Sequence, residues 1–168
     1  LKWIFEGGDS NQHSIRNGLW GLRDAGCAED DIILVHDGVR PLVSERIITE
    51  NIEKCRKYGY AITGMICKEA IMQKVDDCVK NIDIPRERLV RTQTPHTYPL
   101  GTLLKAHAEA DAKGIDGTVA SCTLMAELGV DNQHLVMGSE KNGLKLTQTE
   151  DVELFKALKH TTKDEWLK

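Results

Sequence analysis

Apolar positions along this chain alternate between short continuous runs and spacings of three and four, the pattern of strands and helices that builds a mostly parallel α/β sheet. Ile32-Ile33-Leu34-Val35 is the clearest run, and four successive apolar residues predict a strand covered on both faces. Leu1-Lys2-Trp3-Ile4-Phe5 also reads as a strand, entered midway through a domain, so an amino-terminal portion is expected to be absent. Ile15, Leu19 and Leu22 share a face of a helix over 14–25 that stops near Gly26. Ser44 is placed to cap a helix through Tyr58, on which Ile47, Ile48, Ile52 and Cys55 cluster before Gly59. A strand over 60–66 follows. Short β-like pieces around Asp76-Asp77 then predict a hairpin arm, about residues 70–88, projecting from the sheet. Beyond it the pattern predicts a strand over 89–93, a helix opened by Pro99 and ended at Gly114, and a shorter helix over 119–128. Strands at 135–137 and 144–146 come next. A last helix carries Val152, Phe155 and Leu158 behind the capping-box spacing Thr147-Gln148-Thr149-Glu150.

Composition narrows this picture. At 168 residues and 40% hydrophobic the chain fills one core, which predicts a single domain over 1–168 without repeat or linker. The 22 basic and 26 acidic residues give a net charge of −4 and form no long block, which argues against the concentrated basic face of a nucleic-acid binder. No apolar run approaches the roughly 18 residues of a membrane span and no secretory signal opens the chain, so a soluble cytoplasmic protein is expected. Five cysteines without a C-x-x-C pair read as free thiols, and six histidines without H-x-x-x-H spacing argue against zinc.

Candidate chemistry gathers at predicted strand ends. His36-Asp37-Gly38-Val39-Arg40-Pro41 follows the apolar run, at the carboxyl end where α/β proteins bind ligands. Asp37 has the chemistry to hold a hydrated magnesium ion or a sugar hydroxyl, and Arg40 presents a planar fork of donors to phosphate. The plainer reading is a turn-capping acid beside a solvated arginine. Gly7-Gly8-Asp9, with Ser14 opening the next helix, allows close approach of a nucleotide base to the backbone, although it matches neither the Walker loop nor G-x-G-x-x-G. Thr94 in Arg91-Thr92-Gln93-Thr94-Pro95 and Lys145 in Asn142-Gly143-Leu144-Lys145-Leu146-Thr147 are a donor and a cation for a phosphate, or else a capped loop and a surface lysine.

Taken in order, Gly-Gly-Asp-(x5)-Ser, His-Asp-Gly-x-Arg-Pro, Arg-x-x-Leu-(x3)-Gln-Thr-Pro and Lys-x-Thr-(x2)-Glu-Asp resemble the cytidylyltransferases that act on methylerythritol phosphate and ribitol phosphate. The resemblance runs from about Gly7 to Leu158. It implies a Rossmann-like nucleotidyltransferase sheet with a protruding β-arm, CTP and a small alditol phosphate as substrates, a magnesium cofactor and a homodimer made through the arm. It further implies that Gly7, Gly8, Asp9, Ser14 and Gly38 bind the nucleotide. Asp37, Arg40 and Lys145 are the catalytic set, with Asp37 also the metal ligand. Arg86, Thr94 and Lys145 meet the acceptor phosphate, with Arg86 delivered by the arm to the neighbouring subunit. Methylerythritol phosphate, for isoprenoid precursors, is the first expectation and ribitol phosphate, for surface polymers, the second. A non-catalytic nucleotide-binding relative or inactive fragment is the third, because three features depart from the family. Its glycine-rich triphosphate loop has no match here, Ala70 stands where threonine is usual, and Val119-Ala120 replace a usual Thr-Asp pair.

Overall fold

The computed structural model describes residues 1–160; the remainder of the expected domain, 161–168, lies outside the described residues. Six strands are present: β1 (Ile32–Val35), β2 (Ala61–Ile66), β3 (Met72–Val75), β4 (Cys78–Asn81), β5 (Val90–Pro99) and β6 (His134–Met137). The helices are α1 (Asn11–Asp24), α2 (Glu45–Tyr58), α3 (Leu100–Lys113), α4 (Ser121–Glu127), α5 (Glu140–Gly143) and α6 (Thr149–His160). Four strands form the main sheet in the order β1-β5-β2-β6. β2 and β6 pair in parallel, whereas β5 runs antiparallel to both β1 and β2. Three strands therefore share a direction, and the reversed β5 lies between two of them.

The two faces of this sheet carry different cores, as the period-2 alternation of strand side chains requires. Ile33, Val35, Ile62 and Tyr98 face a cluster with Leu19 of α1 and Leu100, Leu103 and Ala106 of α3. Ile32 and Ala61, one position out of phase, face Ile47 and Cys55 of α2 with Val136. The continuous apolar run of β1 thus reflects helices on both sides. A buried polar chain ties α2 to the sheet: Asn51 Nδ2 donates to Thr63 Oγ1 at 2.9 Å, and Thr63 Oγ1 donates to the Pro95 carbonyl at 2.8 Å.

Several elements differ from the sequence-based expectation. Residues 1–5 form no strand, because they pair with no other strand among those described; Leu1 and Ile4 are exposed, while the Phe5 ring lies against Gly21. Residues 144–146 are likewise no strand: Leu146 N–H donates to the Val39 carbonyl at 2.8 Å, one bond rather than a ladder. The predicted strand over 89–93 extends to Pro99, since both prolines occupy positions that need no ladder donor. Pro95 falls in a bulge, where Ile62 pairs with His96 but the next residue, Thr63, pairs with Gln93, and Pro99 closes the strand. At α6 the reciprocating acid is Asp151, not Glu150: its Oδ2 accepts from the N–H groups of Thr147 and Gln148, both at 2.8 Å.

Other expectations match closely. Ser44 caps α2 by accepting from Ile47 N–H, and Gly59 ends it at φ 90°. β3 and β4 form a separate hairpin whose eight strand residues are all exposed, turning through Asp76 at φ 51°. Among the described residues no helix is long and apolar enough to cross a membrane.

Candidate active site

The turn leaving β1 is built by hydrogen bonds that close on themselves. Arg40 N–H donates to the Asp37 carbonyl at 2.9 Å, and Asp37 N–H donates to Thr94 Oγ1 at 3.1 Å. Thr94 Oγ1 lies 3.1 Å from His36 Nδ1, and His36 Nε2 lies 2.9 Å from the Arg40 carbonyl. A carbonyl only accepts, so Nε2 carries the imidazole proton and Nδ1 accepts from the Thr94 hydroxyl. The bulge in β5 makes this possible, because it takes Thr94 out of the ladder and turns it to the Asp37 backbone.

Charge concentrates on the outer side of that turn. Asp37 Oδ2 receives Arg40 Nε at 2.9 Å and Lys145 Nζ at 3.4 Å. Partial burial works against the charged carboxylate, but the Arg40 hydrogen bond and the Lys145 charge outweigh it and hold the Asp37 pKa below its ordinary value. Two cations against one anion leave a net positive charge at a strand end. Arg40 is fixed further by donating from Nη1 to the Gly143 carbonyl at 2.5 Å.

Lys145 reaches this place on a segment locked to β5. Gln93 Nε2 donates to the Ser139 carbonyl at 3.0 Å, while Asn142 Nδ2 donates to Gln93 Oε1 at 2.9 Å and to the Thr94 carbonyl at 3.2 Å. The fit is close: a Cβ at Gly143 would lie 2.5 Å from Gln93 Nε2. A side chain there would displace the Gln93 amide.

A cavity of about 710 Å³ opens over these groups, and of the sequence-predicted residues Asp37, Gly38, Arg40, Thr94 and Lys145 line it. Gly7, Gly8, Asp9 and Ser14 do not; they flank the start of α1, whose Asn11 and Ile15 do reach the wall. Gly8 N–H donates to Ser14 Oγ at 3.0 Å, and a Cβ on Gly8 would come within 2.5 Å of His13 Cβ, so glycine there serves the contact with the first turn of α1. Arg86 lies elsewhere, on the wall of a cavity of about 550 Å³ under the arm, with Nη1 donating to the Lys68 carbonyl at 3.2 Å. Sequence reasoning missed His36, Gln93, His96, Ser121 and Asn142. Of these, His36, Gln93 and Asn142 stood inside the quoted clusters without a role of their own.

Asp37 is the sole carboxylate lining this cavity among the described residues, and no cluster of three or more potential ligands occurs there. The donor set fits a magnesium ion that arrives with phosphate oxygens and water and takes one carboxylate from the protein; it does not fit an all-protein cage.

Comparison with known proteins identifies the family. Residues 2–160 match the family described as IspD, 2-C-methyl-D-erythritol 4-phosphate cytidylyltransferase. A ribitol-5-phosphate cytidylyltransferase of Lacticaseibacillus paracasei is 41% identical over 160 residues, covering 94% of this chain and 67% of that protein. A 2-C-methyl-D-erythritol 4-phosphate cytidylyltransferase of Clostridium acetobutylicum is 36% identical over 152 residues, covering 90% of this chain and 63% of that protein. The crystal structure of 2-C-methyl-D-erythritol 4-phosphate cytidylyltransferase from Thermus thermophilus superposes with a TM-score of 0.77 at 28% identity, over 93% of this chain and 72% of that one. The chain spans about two thirds of the length of these curated relatives. With the match running through nearly every described residue, the chain belongs to the IspD family of cytidylyltransferases, which share a Rossmann-like nucleotidyltransferase fold.

Proposed function

We propose that this chain forms the acceptor-binding and charge-neutralising part of a cytidylyltransferase that moves CMP from CTP to a small alditol phosphate. The observation that carries the reading is the cluster of Asp37, Arg40 and Lys145 on one cavity at the carboxyl end of β1, a net positive site suited to phosphate. In the reaction an acceptor phosphate oxygen bonds to the α-phosphorus of CTP while the bond from that phosphorus to the bridging oxygen breaks, and pyrophosphate leaves. Arg40 and Lys145 neutralise charge on the phosphates, and Asp37 holds both cations in place, so positioning and electrostatics supply the rate. Magnesium, when bound with the nucleotide, adds charge neutralisation, and Asp37 is its protein ligand. The start of α1, with Gly7, Gly8, Asp9 and Ser14, receives the cytidine together with Gly38.

Thr94 keeps a part in acceptor binding by holding the Asp37 turn, because its hydroxyl proton already serves His36. The exposed arm joins two copies as a homodimer, and Arg86 then reaches the phosphate of the neighbouring copy. The enzyme works in the cytoplasm. Methylerythritol phosphate, leading to isoprenoid precursors, is supported by the family match, and ribitol phosphate by the 41%-identical relative. The test is pyrophosphate release from CTP and magnesium with each acceptor, using the native polypeptide that carries these residues. Release with one acceptor, lost in Asp37→Asn, is the expected result. Absence of release with both overturns the reading.

A further inference from the structure

The bulge in β5 puts two residues outside the ladders on both sides. The β2 register passes from Ile62 opposite His96 to Thr63 opposite Gln93, and the β1 ladder ends at Val35 opposite His96, so Thr94 and Pro95 are matched to neither neighbouring strand. Side chains hold their carbonyls instead. Asn142 Nδ2 donates to the Thr94 carbonyl at 3.2 Å, from the segment that carries Lys145, and Thr63 Oγ1 donates to the Pro95 carbonyl at 2.8 Å, from β2. Thr94 Oγ1 in turn accepts from Asp37 N–H at 3.1 Å, so the place at which these two carbonyls are held sets the place of the Asp37 turn.

The direction of the Thr63 bond is fixed by what lies behind it. Thr97 Oγ1 donates to Asn51 Oδ1 at 3.3 Å, and Asn51 Nδ2 donates to the Ile47 carbonyl at 2.8 Å and to Thr63 Oγ1 at 2.9 Å. An amide nitrogen only donates, so the Thr63 hydroxyl accepts there and keeps its own proton for Pro95, whose carbonyl only accepts. Asn51, Thr63 and Thr97 are each 0% exposed. Ile47 and Cys55 of α2 already pack against the sheet through Ala61 and Val136, and polar side chains beside them are costly to bury unless each is paired. Apolar side chains would serve attachment alone. What the polar chain adds is a donor delivered to one carbonyl of the bulge.

Resting on the proposed cytidylyltransferase reading, we infer that Thr63, oriented by Asn51, is a positioning residue of the active site: its hydroxyl fixes the Thr94-Pro95 bulge and, through Thr94, the turn that presents Asp37 and Arg40 to the phosphates. Thr63 does not line the cavity over Asp37, so it acts through the bulge and not on a substrate.

Two variants of the native polypeptide separate the hydroxyl from the packing. Thr63→Val keeps the shape and removes the hydroxyl, whereas Thr63→Ser keeps the hydroxyl and removes the methyl group, which lies toward Gly138. Amide hydrogen exchange reads the Asp37 N–H, and the control for general loosening is the His13 N–H, which donates to Ser10 Oγ at the same 3.1 Å in the cap of α1. In Thr63→Val, exchange at Asp37 rises about five- to tenfold relative to His13, as expected for one net hydrogen bond, and in Thr63→Ser it stays within about twofold of the unaltered protein. The kcat/KM for the acceptor phosphate falls about tenfold in Thr63→Val and returns in Thr63→Ser, although serine leaves the larger packing defect. Should Thr63→Val fail to fold, Thr63→Cys, whose thiol is a weaker donor in nearly the same space, shows the rise at Asp37 to a smaller degree. Equal change at Asp37 and His13, or a serine variant as impaired as the one lacking the hydroxyl, overturns the inference. Failure of the cytidylyltransferase reading is seen separately: exchange at Asp37 follows the hydroxyl as stated, and the unaltered protein releases no pyrophosphate from CTP.

Discussion

Replacing Gln93 with leucine should test whether the segment carrying Lys145 is held by the hydrogen bonds described above. Gln93 is 2% exposed and bridges Ser139 and Asn142 through its amide. Leucine keeps similar bulk and removes both bonds. The Ser139 carbonyl then loses its side-chain donor, at about 1–3 kcal/mol if no water replaces it. Asn142 Nδ2 keeps the Thr94 carbonyl at 3.2 Å, so its loss is that of one net hydrogen bond, about 1 kcal/mol. The sum is about 2–4 kcal/mol. Urea unfolding followed by far-ultraviolet circular dichroism reads this as a lower midpoint with unchanged slope. A shift equivalent to less than about 0.5 kcal/mol, the usual range of a surface substitution, would refute the lock. The same variant should raise KM for the acceptor, because the Gly143 carbonyl steadies Arg40 and Lys145 is its near neighbour.

Three further outcomes follow from the same geometry. His107 is 1% exposed with both ring nitrogens unpaired and its edge toward Trp20; burial holds its pKa at about 4, with Asp111 opposing and Arg16 and His13 reinforcing the shift. Its folded pKa lies below the unfolded 6.5, so the unfolded chain binds more protons between those values and stability falls with pH from 6.5 towards 4, by about 3 kcal/mol at 1.36 kcal/mol per pH unit. His107→Phe should reduce that acid sensitivity in urea titrations at pH 7 and pH 4.5, and an unchanged difference between the two would count against it. Gly8→Ala drives a Cβ against His13 Cβ and carbonyl carbon at 2.5 and 2.9 Å, so thermal unfolding should drop by an amount equivalent to about 1–3 kcal/mol; an unchanged midpoint means the amino-terminal turn moves freely. Lys145→Ala leaves Asp37 with Arg40 alone, and kcat/KM for the acceptor should fall at least tenfold with stability within about 1 kcal/mol, since the exposed lysine adds little to folding. Intact kcat/KM would remove Lys145 from the reaction.

How much of the fold was legible depends on where its causes lie. The strand β1 and the helix α2 were readable because their signals are local: an apolar run in one, and Ser44, a periodic face and Gly59 in the other. The segments at 1–5 and 144–146 are as apolar as real strands, but a strand exists only where a neighbour supplies the ladder, and no local pattern reports that neighbour. β5 failed in the opposite sense. Its prolines argue for a loop, yet Pro95 sits at a bulge and Pro99 at the strand end, where the missing donors are not needed.

The candidate site divides along the same line, and the division explains which roles sequence alone could assign. Asp37 and Arg40 were legible because one strand end presents both within a single turn. Thr94 and Lys145 were legible as chemistry but not as geometry. Thr94 was expected to donate to phosphate, whereas its hydrogen bonds join His36 to the Asp37 backbone, so its influence on any bound phosphate passes through that turn. Gln93 and Asn142 stood inside the quoted clusters without a role of their own, and His96 and Ser121 had no local signal at all. An uncharged amide gains meaning only from what faces it across the fold, which for Gln93 is a carbonyl of another segment. Charged groups that meet a phosphate announce themselves in sequence because few other tasks need them at a strand end. The neutral groups that hold those charges in register are chemically ordinary, and their roles become visible only when folding pairs them.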